Sequence, residues 1–322
     1  MTGIKTPQKF IMILCEACWF DDRHFRQVFE PLFGLGGSPF RAISPVYGGG
    51  TPNASFEIMT GLPARNPALY GVIYQEYKDF FARRVSSLPT HLTDMGYVTL
   101  SMHNYNSTMW SRAHVEPRLG FNDFIGIERM KKPDSSYWLP RDFVLFDAAY
   151  DEFLKHPDDR LFLHLATVHT HGPYPEKNGD GGIQDYQNRL SLSIEDLAHF
   201  VEAIRSRAGD TVILIYADHK PALRMFAGMT DPAKSGDVPI IIFDNNEKRK
   251  EALVKHSDGK PFYCLSRNIG ALYFDMQLAA HYYAADSCTH FSGKQYLKLA
   301  ASLPESLYTA SLHYDAEQAP SQ

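Results

Sequence analysis

A chain of 322 residues that is 44% hydrophobic can bury a large core, and its 32 basic and 37 acidic residues nearly balance. The formal net charge of −5 gives no basic groove for nucleic acid and no polybasic membrane patch, so an anionic substrate must be met by local cations or a metal. No apolar run reaches the roughly 18–20 residues that cross a bilayer.

The first apolar segment, "KFIMILCE" at 9–16, reads as a buried strand. It is too short for a signal peptide and lacks a small-residue cleavage site. It ends at Glu16, between Cys15 and Cys18. With no second C-x-x-C in the chain, a zinc knuckle or a redox centre is disfavoured there. Four cysteines are too few to define a disulfide scaffold, although Cys264 and Cys288 can pair in an oxidising compartment.

The string "GGGTPNASFEIMTGL" follows at 48–62. Thr51 suits a helix N-cap, Pro52 the first helical position and Gly61 the stop, with Phe56, Met59 and Leu62 as the apolar stripe. A capped helix after a turn accounts for this pattern. So does a second reading, in which Gly48, Gly49 and Gly50 clear space beside a Thr51 hydroxyl at the positive end of a helix, where phosphate is stabilised.

Further strands are expected at 96–103 ("GYVTLSMH"), 160–169 ("RLFLHLATVH"), 210–219 ("DTVILIYADH") and 237–244 ("DVPIIIFD"). Their near-continuous hydrophobicity suits burial on both faces of a mostly parallel sheet. The polar, glycine-rich stretch "GPYPEKNGDGGIQDYQNRL" at 172–190 is expected to be a long loop and an active-site flap. A helix is expected at 193–207, with Ile194, Leu197, Val201 and Ile204 on one face. Strand–helix alternation makes the fold class α/β, a central mostly parallel sheet flanked by helices.

Several strands end on residues that ligate metals or titrate: Glu16, His103, His169 with His171, and Asp218 with His219. In open α/β sheets ligands bind at the carboxyl ends of the strands, so these groups are expected to converge. Glu, Asp and His together suit a hard-to-borderline divalent ion, and such an ion beside Thr51 would favour its alkoxide.

In this order, "ILCEACWF", "GGGTPNASFEIMTGLP", "HNYNSTMWSR" with "LGFNDF", "TVHTHGPY" and "IYADHKPAL" resemble the catalytic domain of lipoteichoic acid synthase-type phosphoglycerol transferases. Those enzymes belong to the alkaline phosphatase and sulfatase superfamily, and the resemblance runs from about residue 10 to about residue 225. It implies a single sulfatase-like catalytic domain over 1–322, with Glu16, Thr51, Asp218 and His219 around one divalent ion. Manganese is favoured, with magnesium or zinc as alternatives. It further implies Thr51 as nucleophile, His171 beside the leaving or entering oxygen, and His103, Trp110 and Arg112 as the head-group pocket. Arg112 offers paired donors for a phosphate and Trp110 a wall, while His164 and His169 read as structural.

The resemblance implies transfer of phosphoglycerol from a phospholipid-type phosphodiester donor to a glycan or polyol acceptor, through a covalent phospho-threonine. Phosphoethanolamine transfer and phosphodiester hydrolysis are the enzymatic alternatives, and a non-enzymatic glycan- or metal-binding domain is the third. The expected location is the extracytoplasmic bacterial cell envelope. Family members commonly carry membrane helices before this domain and none is present here, so membrane association is expected only through parts absent from this chain. The residue that matures to formylglycine in sulfatases is not found at Thr51, which disfavours sulfate-ester hydrolysis. No full second-metal ligand set is evident, which disfavours a two-metal phosphomonoesterase.

Overall fold

The structure, a computed structural model, describes residues 6–131, 139–207 and 210–313. Its strands are β1 (Lys9–Cys15), β2 (Ser38–Ile43), β3 (Tyr97–His103), β4 (Asp123–Gly126), β5 (Arg160–Ala166), β6 (Thr211–Ala217), β7 (Asp237–Phe243) and β8 (Lys260–Pro261). They form one eight-stranded sheet in the order β4-β3-β5-β1-β6-β7-β2-β8. β7 alone runs against the others, pairing antiparallel with both β6 and β2. All seven residues of β1 and of β6 are buried, as expected of strands covered on both faces.

Two helix pairs pack beside the sheet, Thr51–Thr60 with Phe262–Tyr273 and Phe143–Lys155 with Ile183–Arg205. The five strands expected from the sequence are all present. The third is shorter than expected: β5 stops at Ala166, and His169 and His171 lie on the turn that follows. Its continuation is bent away by side-chain contacts, since the Thr167 hydroxyl accepts from the Glu16 amide at 2.9 Å and the Thr170 hydroxyl donates to the Glu16 carbonyl.

The expected long loop is also shorter. The Ile183–Arg205 helix begins ten residues before the segment predicted to be helical and takes in "IQDYQNRL". Tyr186 and Leu190 are buried and extend the stripe of Ile194, Leu197, Val201 and Ile204 backwards. Asp180 starts the helix, accepting from the amides of Gly182 (3.0 Å) and Gln184 (2.9 Å). The polar residues between these apolar positions had hidden the period.

The cysteines form two disulfides, Cys15–Cys18 and Cys264–Cys288. The second ties the Phe262–Tyr273 helix to the Ala279–Thr289 helix.

Candidate active site

Sheet register brings the chemistry together. β1 lies between β5 and β6, with Cys15 level with Ala217, Leu14 level with Ala166, and Ala166 level with His103. Glu16 and Asp218 each follow the last paired residue of adjacent strands, and so emerge side by side. Glu16, Asp218 and His219 place one ligand atom each within 4.8 Å of one another, all buried. Among the described residues they are the one such group of three.

Neighbouring groups orient each of the three. The Ala17 amide donates to Asp218 Oδ1 at 2.8 Å, leaving Oδ2 toward the cluster. The Ser44 hydroxyl donates to the Asp218 carbonyl. His219 Nδ1 pairs with the Lys220 carbonyl at 2.8 Å, which makes Nε2 the coordinating nitrogen. His219 Nε2 lies 3.2 Å from Glu16 Oε1 and 3.3 Å from Asp218 Oδ2.

Those three atoms, Glu16 Oε1, Asp218 Oδ2 and His219 Nε2, are buried and, among the described residues, have no partner outside their own cluster. Buried polar atoms rarely go without partners, and three aimed at one point fit a divalent cation. The electrostatics agree. Burial disfavours a charged His219, yet the carboxylates of Asp218 and Glu16 outweigh it and raise its pKa. Asp218 is raised by burial and by the Glu16 charge. Burial opposes ionisation of Glu16 too, but His219, His171 and the Thr51 hydroxyl hold it low.

Thr51 is not the N-cap. Gly50 takes that position at φ 85°, and Thr51 is the first residue of its helix. Its hydroxyl turns from the helix and donates to Glu16 Oε2 at 3.1 Å. The preceding glycines are required by conformation: Gly48, Gly49 and Gly50 have φ of 65°, 150° and 85°. A side chain at Gly49 would meet nothing within 4 Å, so the backbone path and not local crowding demands glycine there.

A cavity of about 80 Å³ opens on Thr51 and Glu16. His103, Trp110, Arg112 and His171 line it, joined by Tyr105, Met109, Leu139 and Val168, which the sequence reading did not single out. Trp110 is half-buried at this wall, in a left-handed backbone conformation (φ 54°), and is not a core aromatic. His103 Nδ1 pairs with the Ala166 carbonyl at 2.8 Å, leaving Nε2 as its acceptor. Burial and the Arg112 charge push its pKa down to about 3, so the ring is neutral. His171 Nδ1 pairs with the Gly172 carbonyl, and Arg189 holds the His171 carbonyl at 2.9 Å.

Arg112 departs from expectation in one respect. Its Nη1 is already engaged by Glu116 Oε1 at 2.9 Å, while its buried Nε has no hydrogen-bond partner among the described residues. Glu116 was missed in the sequence, although the i, i+4 spacing in "RAHVE" is legible. Asp142 was missed as well. It is fully buried, and its Oδ1 accepts from the amides of Val168 and His169 at 3.0 and 3.2 Å, fixing the turn that leads to His171. His164 is structural, stacked near Tyr216 and bonded to its hydroxyl at 2.8 Å.

The sequence between the second strand and the end of the sheet matches a known family. The chain belongs to the sulfatase family, whose model, described as Sulfatase, matches residues 42–263. Among curated proteins, one from Rhizobium meliloti (strain 1021), provisionally named a cyclic beta-1,2-glucan modification protein, is 28% identical over 207 residues, covering 58% of this chain. The match takes in 31% of that relative, so the chain spans about a third of its length.

Solved structures share the fold. The lipoteichoic acid synthase LtaP from Listeria monocytogenes superposes with a TM-score of 0.64 at 16% identity, over 84% of this chain and 72% of that one. The Streptococcus pyogenes phosphoglycerol transferase GacH in complex with sn-glycerol-1-phosphate gives 0.65 at 16% identity, over 94% and 86%. The C-terminal periplasmic domain of EcEptC from Escherichia coli, in complex with Zn, gives 0.59 at 14% identity, over 84% and 83%. Among the described residues no helix is long and apolar enough to cross a membrane.

Proposed function

We propose that this chain is one catalytic domain of a metal-dependent phosphotransferase. It moves phosphoglycerol, or a similar phospho-alcohol, from a phosphodiester donor of phospholipid type to a glycan or polyol acceptor. The carrying observation is the Thr51 hydroxyl, held 3.1 Å from Glu16 at the start of a ten-residue helix and open to the cavity that Arg112, His103 and His171 line. Glu16, Asp218 and His219 would hold the ion, with Thr51 beside them. Bound there, a divalent ion supplies positive charge that favours the ionised Thr51 oxygen and an incoming phosphate.

The chain's own residues carry the transfer. Once its proton has passed to water, the ionised Thr51 oxygen attacks phosphorus, the bond from phosphorus to the donor alcohol breaks, and His171 gives a proton to that alcohol. Phosphorus is then bound to Thr51. An acceptor hydroxyl displaces Thr51 in the second half, yielding its proton to His171. Arg112 and the helix N-terminus stabilise the phosphate oxygens through both halves.

His103 suits an uncharged head group. Its ring is neutral and Nε2 accepts, so it takes a hydrogen bond from a glycerol-like hydroxyl. An ethanolamine ammonium in the same cavity would meet the like charge of Arg112. Were water to replace the acceptor, the same covalent half-reaction would make a phosphodiesterase. The fold relatives from Listeria and Streptococcus, named for lipoteichoic acid synthesis and phosphoglycerol transfer, support the reading, and periplasmic relatives support an extracytoplasmic place for it.

The test is mass spectrometry of enzyme supplied with manganese and a phosphatidylglycerol-type donor, then quenched in acid. A phosphoglycerol adduct on the Thr51 peptide is expected. An adduct elsewhere, or turnover with none, overturns the mechanism.

A further inference from the structure

Cys15 and Cys18 bracket Glu16 and Ala17, and their disulfide closes this turn with Cα atoms 5.3 Å apart. Both enclosed residues serve the ligand cluster. Glu16 contributes a carboxylate, and the Ala17 amide fixes Asp218 Oδ1 at 2.8 Å. The β1 ladder does not reach them, because its last pair is Cys15 with Ala217. Ala17 sits at φ 49°, a left-handed conformation that residues with side chains adopt reluctantly. The Tyr186 hydroxyl bridges the turn from outside, accepting from the Trp19 amide at 3.0 Å and donating to the Ala17 carbonyl at 2.8 Å.

We propose that the Cys15–Cys18 disulfide is a positioning clamp for the metal site, holding Glu16 and the Ala17 amide in the geometry that binds a divalent ion. With the cross-link open, the Thr167 and Thr170 hydroxyls and the Cys18 amide still hold the backbone of the turn, but nothing covalent keeps Ala17 left-handed, and the Ala17 amide and the Glu16 carboxylate shift together. The inference rests on the reading that Glu16, Asp218 and His219 hold a divalent ion. Cys264–Cys288 provides the internal comparison, because it joins two helices in a separate small cluster with Ile43, Tyr263 and Tyr296.

The experiment titrates manganese chloride, without substrate, into chelator-stripped wild type, a Cys15→Ala/Cys18→Ala variant and a Cys264→Ala/Cys288→Ala variant, read by calorimetry. Loss of an outer support weakens metal binding by about 10–100-fold, and that loss is expected in the first variant and not in the second. Wild-type affinity in the first variant, or equal losses in both, overturns the clamp.

Near-ultraviolet circular dichroism reports whether each variant folds. Should the first not fold, the wild type is opened with a water-soluble phosphine in mild denaturant and returned to buffer. The phosphine takes the two sulfurs to thiols and becomes a phosphine oxide with oxygen from water. Alkylation and peptide mass spectrometry identify which pair opened. Affinity that falls when Cys15–Cys18 opens and returns on reoxidation supports the clamp, and unchanged affinity overturns it. Wild type that binds no divalent ion overturns the metal reading and the clamp together. Wild type that binds beside an unaffected variant overturns the clamp alone.

Discussion

Arg112 Nη1 donates to Glu116 Oε1 at 2.9 Å, with both side chains almost wholly withdrawn from water. The cation at the cavity wall is thus held rigid and partly neutralised by a carboxylate one helical turn on. Removing that carboxylate leaves a buried charge without its partner. Glu116→Ala is expected to cost about 3–5 kcal/mol of stability by urea denaturation. Arg112→Lys keeps the charge but loses the planar fork, and is expected to weaken donor binding by roughly 1.5–3 kcal/mol. Unchanged kinetics in the lysine variant would return Arg112 to a purely structural role.

Thr51 offers a clean separation of stability from chemistry. Its side chain caps nothing, so Thr51→Ala should lose only the hydrogen bond to Glu16, about 1 kcal/mol. The same variant should fold, bind metal and turn over at background. Thr51→Ser should retain partial activity. An alanine variant with wild-type turnover would exclude Thr51 as nucleophile.

A chelator should abolish activity, and manganese or magnesium should restore it. Because the candidate ligand cluster unites residues 16, 218 and 219, an ion held there would bind only the folded chain. Stability should therefore rise with free ion, by about 2.7 kcal/mol when the ion is at roughly 100 times its Kd. A melting temperature indifferent to every divalent ion tested would contradict the site.

Acid should destabilise the metal-free protein through its buried neutral histidines. Burial, reinforced by the Arg112 charge at His103 and His164 and by Arg267 at His281, holds all three near pKa 3. In the unfolded chain they titrate near 6.5. Their folded pKa values are depressed, so below about pH 6.5 the unfolded state binds more protons. Stability is then full above that pH and is lost as pH falls toward 3, by about 1.4 kcal/mol per pH unit for each histidine. A urea midpoint that stays flat from pH 7 to pH 5 would refute this.

The sheet was legible because its central strands are continuous apolar runs, and their polar terminal residues are those that converge at the candidate site. Glu16, Asp218 and His219 stood out as chemistry at strand ends, and Thr51 as an oxygen after three glycines. What the sequence hid depended on non-local partners. Thr51 looked like a cap because Thr-Pro is the local signature of one, while the group that claims its hydroxyl lies 35 residues away. The early start of the Ile183–Arg205 helix was masked by polar residues between Tyr186, Leu190 and Ile194, whose burial needs the folded neighbours. Asp142 gave no local signal, because its partners are backbone amides 26 and 27 residues on.

The place of β1 between β5 and β6 has a consequence for the order of events at the ribosome. Glu16 is made well before Asp218, and the contact from Ala17 to Asp218 spans 201 residues. A nascent chain that has not yet exposed β6 carries one ligand of the cluster and none of its counterparts. Capture of an ion at this cluster would therefore follow the closing of long-range strand pairs, which form slowly because large loops close first. Ion uptake during synthesis would accordingly report completed assembly of the sheet, and a truncated chain would be blank in the same assay.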